Sequence, residues 1–145
     1  MEFGGFFSLP YSVQLEATKW DVEKLVGLIT ELGLIEGRDA IYLDRIIFNN
    51  ETNLTLTGDF NIYGIGGKFE MNFKGVIFLS TIELDFDKRR QMESLGIIEN
   101  SDKIKEFRSL DHSSKINDRH KHYYVQTYDT VFEIISDEYE LVLID

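Results

Sequence analysis

A chain of 145 residues that is 43% apolar and 28% charged can bury one hydrophobic core and is too apolar to be disordered along its whole length. A formal net charge of −11 sets it against nucleic acid and anionic membranes, and the lack of cysteine removes disulfides, thiolate metal sites and cysteine nucleophiles. The charge falls in three blocks: residues 1–87 hold 6 Lys/Arg against 14 Asp/Glu, residues 88–122 hold 9 against 6 with all 3 histidines, and residues 123–145 hold 6 acids and no Lys or Arg.

Met1–Phe7 has no basic segment and only a short apolar run, so a signal peptide is not expected. No stretch approaches the roughly 18 apolar residues of a spanning helix, and the expected location is the cytoplasm. Asn50-Glu51-Thr52 and Asn53-Leu54-Thr55 match the glycosylation pattern but are discounted without an export signal.

Leu9, Tyr11, Val13 and Leu15 alternate with polar residues and predict a strand, with Pro10 at its start or at a sheet edge. Val22, Leu25, Val26, Ile29 and Leu32 then fall at helical spacing. With Thr18 or Asp21 to cap it and Gly33 to end it, this predicts a helix over about 20–33. From Ala40 the pattern is β. Ile41–Asn49 is a strand with mixed alternation that suggests a bulge, and Asn49–Glu51 a turn. Leu54, Leu56, Phe60 and Ile62 keep a period of two, as do Phe69, Met71 and Phe73 beyond the glycine-rich link Gly64–Gly67, which together predict a hairpin. Val76–Phe86 continues the alternation, and Gly75 before it is either a turn or a bulge. Residues 88–121 lose the pattern and form a polar, basic excursion. A short helix is suggested around Ser101–Leu110, and Asp111–Arg119 reads as a mobile loop. Strands return over His122–Tyr128, Thr130–Ile135 and Tyr139–Ile144.

Links this short join antiparallel strands. The expected fold is one α+β domain: a mainly antiparallel, curved sheet of roughly six to eight strands, folded over as a sandwich or open barrel, with one principal N-terminal helix packed on it.

No motif carries chemistry by itself. Glu83, Asp85 and Asp87 would line one strand face about 7 Å apart, and an outward-facing row opposite Ile82, Leu84 and Phe86 accounts for them. His120 and His122 point to one face if a strand begins there. With His112, Asp111 and Asp118 nearby they are candidate metal ligands, opposed by the interleaved Arg119 and Lys121. Gly64–Gly67 is followed by strand rather than helix, which excludes a phosphate loop, and no serine lies in a nucleophile-elbow pattern. Lys88-Arg89-Arg90 with Lys103, Lys105, Arg108, Lys115, Arg119 and Lys121 form a basic set too small to bring a polyanion to so acidic a chain. Trp20, Tyr123, Tyr124, Tyr128 and Tyr139 are of types that dominate interfaces, and one of the adjacent pair Tyr123–Tyr124 is expected to face away from the core.

The expected function is a non-enzymatic, acidic protein-binding domain that docks onto a basic protein partner. Its specific form is an inhibitor or immunity-type protein neutralising a basic toxin or nuclease, with Glu83, Asp85, Asp87, Tyr123, Tyr124, Asp137, Glu138 and Glu140 as binding residues. No cofactor is implied. Two alternatives stand beside it: a small-molecule binder using the sheet face around Phe69, Met71, Phe73 and Phe78, and a hydrolase-like enzyme using carboxylates or the histidine cluster.

Overall fold

The computed structural model describes residues 22–88 and 93–144. In chain order the strands are β1 (Lys24–Gly27), β2 (Ile29–Thr30), β3 (Gly33–Leu34), β4 (Ile41–Phe48), β5 (Leu54–Ile62), β6 (Ile65–Lys74), β7 (Phe78–Glu83), β8 (Leu95–Glu99), β9 (Lys121–Gln126), β10 (Thr130–Ser136) and β11 (Glu138–Ile144). Among the described residues one helix, α1 (Asp102–Leu110), lies between β8 and β9, and a single 3-10 turn spans Leu84–Phe86. Five strands form one sheet in the order β1-β8-β9-β10-β7, four form a second in the order β11-β6-β5-β4, and β2-β3 is a small hairpin. Every pairing is antiparallel.

The two larger sheets pack face to face. Leu54, Leu56 and Phe60 of β5 and Phe69, Met71 and Phe73 of β6 share one core with Leu95, Tyr123, Val125, Phe132 and Ile134 of the five-stranded sheet. The period of two in these strands is therefore the imprint of the inter-sheet face. The chain passes from one sheet to the other after β6, at Gly75, whose φ of +67° makes this position a turn that glycine suits best. The expected bulge is present in β4, where Leu43 pairs with Gly58 and Arg45 with Thr57, leaving Asp44 unpaired between them.

Two expectations are corrected. Over the described part of 20–33 the chain is not helical; it forms β1, β2 and the start of β3. The apolar residues that mimic a helical stripe go to different places. Leu25 joins a cluster on the outer face of the five-stranded sheet, whereas Val22, Ile29 and Leu32 are exposed. Pairing of β1 with β8 across four residue pairs decides the conformation, which local periodicity cannot see. The principal helix lies instead at α1, inside the basic excursion, with its cap at Ser101. The strand expected over Leu9–Leu15, Trp20, and Arg89 and Arg90 lie outside the described residues.

The excursion also contains β8, a strand the pattern does not announce. Leu95-Gly96-Ile97-Ile98 is a short apolar run without alternation because β8 is interior to its sheet and covered on both faces. Gly96 is needed there: a Cβ would sit 2.6 Å from the carbonyl oxygen of Val26 and 2.9 Å from Leu25 Cδ1.

Gly58 lies under the β4 bulge, and a Cβ on it would run into the Tyr42 carbonyl oxygen and stand 2.9 Å from Phe69 Cζ. Gly58→Ala is expected to cost about 3 kcal/mol, read from the urea midpoint, because backbone cannot yield as a side chain can. Gly67→Ala, whose Cβ meets nothing within 4 Å, should stay within about 1 kcal/mol of the parent. Equal effects at the two sites would show that the bulge does not press on β5.

Candidate functional site

The residues expected to bind do not gather on one surface. Glu138 and Glu140 point outward from β11 opposite Lys74 and Asn72, whereas Asp137 in the turn before them is held by Arg119 through two bonds of 2.7 and 2.9 Å. That guanidinium holds the Asp137 carboxyl below the usual carboxylate range, and the carboxylate in turn raises Arg119. Glu83, Asp85 and Asp87 are elsewhere and do not form a row. β7 ends at Glu83, whose carboxylate accepts the Asp85 N–H at 3.0 Å to start the 3-10 turn, and Asp87 turns inward and is buried. Neither tyrosine of the adjacent pair is exposed: Tyr123 is 5% and Tyr124 1% accessible. The expectation fails because β9 is covered on both faces. Tyr123 enters the inter-sheet core beside Phe73 and Tyr139, and Tyr124 joins the outer cluster with Leu84, Ile98 and Val131. Burial also raises the Tyr123 and Tyr139 hydroxyls above the ordinary phenol range. Phe69, Met71 and Phe73, expected to line a ligand face, fill the inter-sheet core.

The covered outer face of β9 and β10 carries polar groups, and each finds a partner. Tyr124 Oη is 3.0 Å from Asp87 Oδ2 and 3.2 Å from Gln126 Oε1, both acceptors for its one proton. Next to it His122 bridges two elements. Its Nδ1 is 2.6 Å from Ser101 Oγ and its Nε2 is 2.7 Å from Glu133 Oε1. A carboxylate only accepts, so Nε2 carries the proton, and in the neutral ring Nδ1 accepts from the Ser101 hydroxyl. That is the proton order of a serine–histidine–acid relay with the ring nitrogens exchanged. Here it acts as a structural tie. Ser101 Oγ also accepts the Ile104 N–H at 3.1 Å as the cap of α1, so the hydroxyl is committed on both sides. The helix is thereby fixed to β9 and β10, and Phe107 packs edge-on against Phe78 of β7.

At the other end of α1, Asp111 accepts N–H groups from Ile116 at 2.8 Å, Lys115 at 3.0 Å and Ser113 at 3.3 Å. The amides of Ile116 and Lys115 hold its carboxyl below the usual range. The segment read as a mobile loop is thus folded around one carboxylate.

Between α1 and the strands β8 and β9 lies a cavity of about 530 Å³. Ile97, Ile98 and Ile104 form its apolar wall, and Ser101, Lys105, Arg108, His120, Lys121 and His122 bring polar groups to it. The two histidines expected to share a face do meet here. Both nitrogens of His122 are engaged, and among the described residues no three His, Asp or Glu side chains converge as metal ligands.

A second surface was not foreseen. The β5–β6 hairpin turns through only two residues, Tyr63 and Gly64, between the paired Ile62 and Ile65. Both are left-handed, with φ of +53° and +81°. Such a turn favours Asn-Gly, and a tyrosine in the first position is unfavourable for its backbone. Its side chain is 96% exposed beside Ile65 at 67%. Below it a cleft of about 300 Å³ is lined by Leu34, Glu36, Asp39, Asn61, Ile62 and Tyr63. The signal that could have found it is the Tyr63-Gly64 dipeptide where the hairpin pattern asks for Asn-Gly.

Ser101→Ala removes a helix cap and strips the buried His122 Nδ1 of its donor; a loss of about 2 kcal/mol is expected from the urea midpoint. A change under about 0.5 kcal/mol would show that the tie does not hold α1. For Asp137 the sign follows from its lowered carboxyl. The pairing stabilises the fold above the unfolded carboxyl value of about 3.9 and is lost as pH falls through the lower folded one. Asp137→Asn should therefore lower the midpoint at pH 7, and the gap to the parent should close in acid; a gap independent of pH would contradict the ion pair as its cause. Comparison with protein-family models, with curated proteins and with solved structures found no match to this chain.

Proposed function

We propose that this chain is a non-catalytic binding domain that docks a basic protein partner through the end of the sandwich around Tyr63. The observation that carries this reading is the exposed Tyr63 in a left-handed position at the hairpin tip. A backbone cost is kept there to display an aromatic side chain that makes no ring contact within the described fold, and such anchors dominate binding energy. Ile65 and Leu34 supply apolar area around it, and Glu36 and Asp39 supply negative charge. With a net charge of −11 behind it, this end of the molecule attracts cationic surfaces at long range and speeds their association.

In its specific form the reading is an inhibitor or immunity-type protein that neutralises a basic toxin or nuclease, with carboxylates standing where substrate phosphates would bind. The acids Glu138 and Glu140 lie on the outer face of β11 and contribute to the field rather than to the anchor.

Tyr63→Asn separates the two roles of the position. It should raise stability by roughly 0.5 kcal/mol, because asparagine suits the left-handed turn. It should also weaken partner binding by about 30-fold or more, as loss of a hot-spot aromatic does. Parent, Tyr63→Asn and Glu36→Gln/Asp39→Asn proteins would be immobilised and exposed to lysate of the native organism. Support is a basic protein held by the parent, released by salt, lost on the Tyr63 variant and slower to associate with the double variant. A partner held equally by all three would overturn the reading.

A further inference from the structure

We infer that the cavity between α1, β8 and β9 is a binding site for the phosphate group of a small organic phosphomonoester. Its size of about 530 Å³ lies in the range of small-ligand pockets. Its lining gathers Lys105, Arg108 and Lys121 against the single acid Glu99, a formal +2 with neutral histidines in a chain of net −11. A phosphomonoester dianion matches that charge, whereas a carboxylate monoanion leaves half of it uncompensated. A polynucleotide would also meet the repulsion of the rest of the surface.

His120 makes this more than a cluster of surface cations. It is 7% exposed and lines the cavity. Its Nδ1 accepts the Asn117 N–H at 3.0 Å, which leaves the proton of the neutral ring on Nε2. No described residue accepts that proton. Asp137, the carboxylate whose charge is felt from His120, is committed to Arg119. That N–H is a donor on the cavity lining, and a phosphate oxygen bound there can accept it.

The start of α1 is not the anchor, since the Asp102 N–H donates to Glu23 and the Ile104 N–H to Ser101. Arg108 and Lys121 can turn to a ligand at little cost. Arg108 meets Asp118 at 4.0 Å, an exposed pair that holds weakly. Lys121 has no ion pair among the described residues. The isoleucine wall gives the organic part of an ester an apolar surface that inorganic phosphate cannot use.

The test is a titration of the full chain with phenyl phosphate, followed by amide and imidazole NMR shifts, with inorganic phosphate and phenol as comparators. Saturable shifts at His120, Lys121 and α1 below roughly 10 mM are expected, with inorganic phosphate at least about fivefold weaker and phenol silent. Arg108→Gln/Lys121→Gln, both exposed and harmless to the fold, should weaken phenyl phosphate about tenfold or more. His120→Asn, checked for native dispersion, should weaken it without changing the salt dependence that the cations set. No saturation, shifts elsewhere, or affinity unaltered in the double variant would overturn the site. Inorganic phosphate binding as tightly as phenyl phosphate would overturn its assignment to an ester.

Discussion

The imidazole of His122 holds together the part of the molecule on which its surfaces depend. β9 is a central strand, and residues on both of its faces are buried, Tyr123 and Val125 on one and His122, Tyr124 and Gln126 on the other. A polar side chain on a covered face is tolerated only with its hydrogen bonds made. His122 meets that condition by joining Ser101 at the start of α1 to Glu133 on β10. Helix placement follows from it, and the cavity is the space left between the helix so placed and the strands beneath it. Asp111 fixes the other end of the helix through three amides, so the connection back to β9 is also determined.

The uneven charge along the chain acquires a spatial meaning from this arrangement. The basic block is not a solvated tail of the domain. It contributes β8 and α1 to the covered side of the five-stranded sheet and turns several of its cations toward one cavity. Some acidic side chains are tied into the fold, as Asp87, Asp111, Glu133 and Asp137 are, while Glu138 and Glu140 lie on an outer sheet face. A chain with a strongly negative field can therefore hold one locally positive cavity, and low-dielectric walls concentrate that local potential. The displayed Tyr63 and the cationic cavity share no lining residue, so the two surfaces can be altered independently.

Legibility in the sequence tracked burial on one face. β4, β5, β6 and β11 were readable because the four-stranded sheet presents one face to the core and one to water, which writes a period of two. β8 was unreadable for the opposite reason, since a strand covered on both faces is a plain apolar run. β1–β3 read as a helix because the spacing of Val22, Leu25, Val26, Ile29 and Leu32 suits 3.6 residues per turn, although Leu25 packs on a cluster while Val22, Ile29 and Leu32 are exposed. α1 was visible through Ser101 and the Ile104–Phe107 spacing, although its importance was not. Among the candidate residues, His120 and His122 line one cavity, although β9 begins at Lys121 and His120 lies just before it. The carboxylate row failed because a 3-10 turn at Leu84–Phe86 rotates Asp87 inward.

The sequence by itself determined the class, the antiparallel pairing, the exclusion of thiol chemistry and the sign of the overall field. These depend on composition, on alternation and on the length of links, all of which are local. Tertiary structure alone decided which strands are covered on both faces, that His122 ties α1 to β10, and that Tyr63 stands in the solvent at a left-handed turn. Each of those depends on partners far apart in the chain, such as Ser101 with His122 and Leu43 with Gly58, and no local pattern records a contact whose two halves are set by different segments.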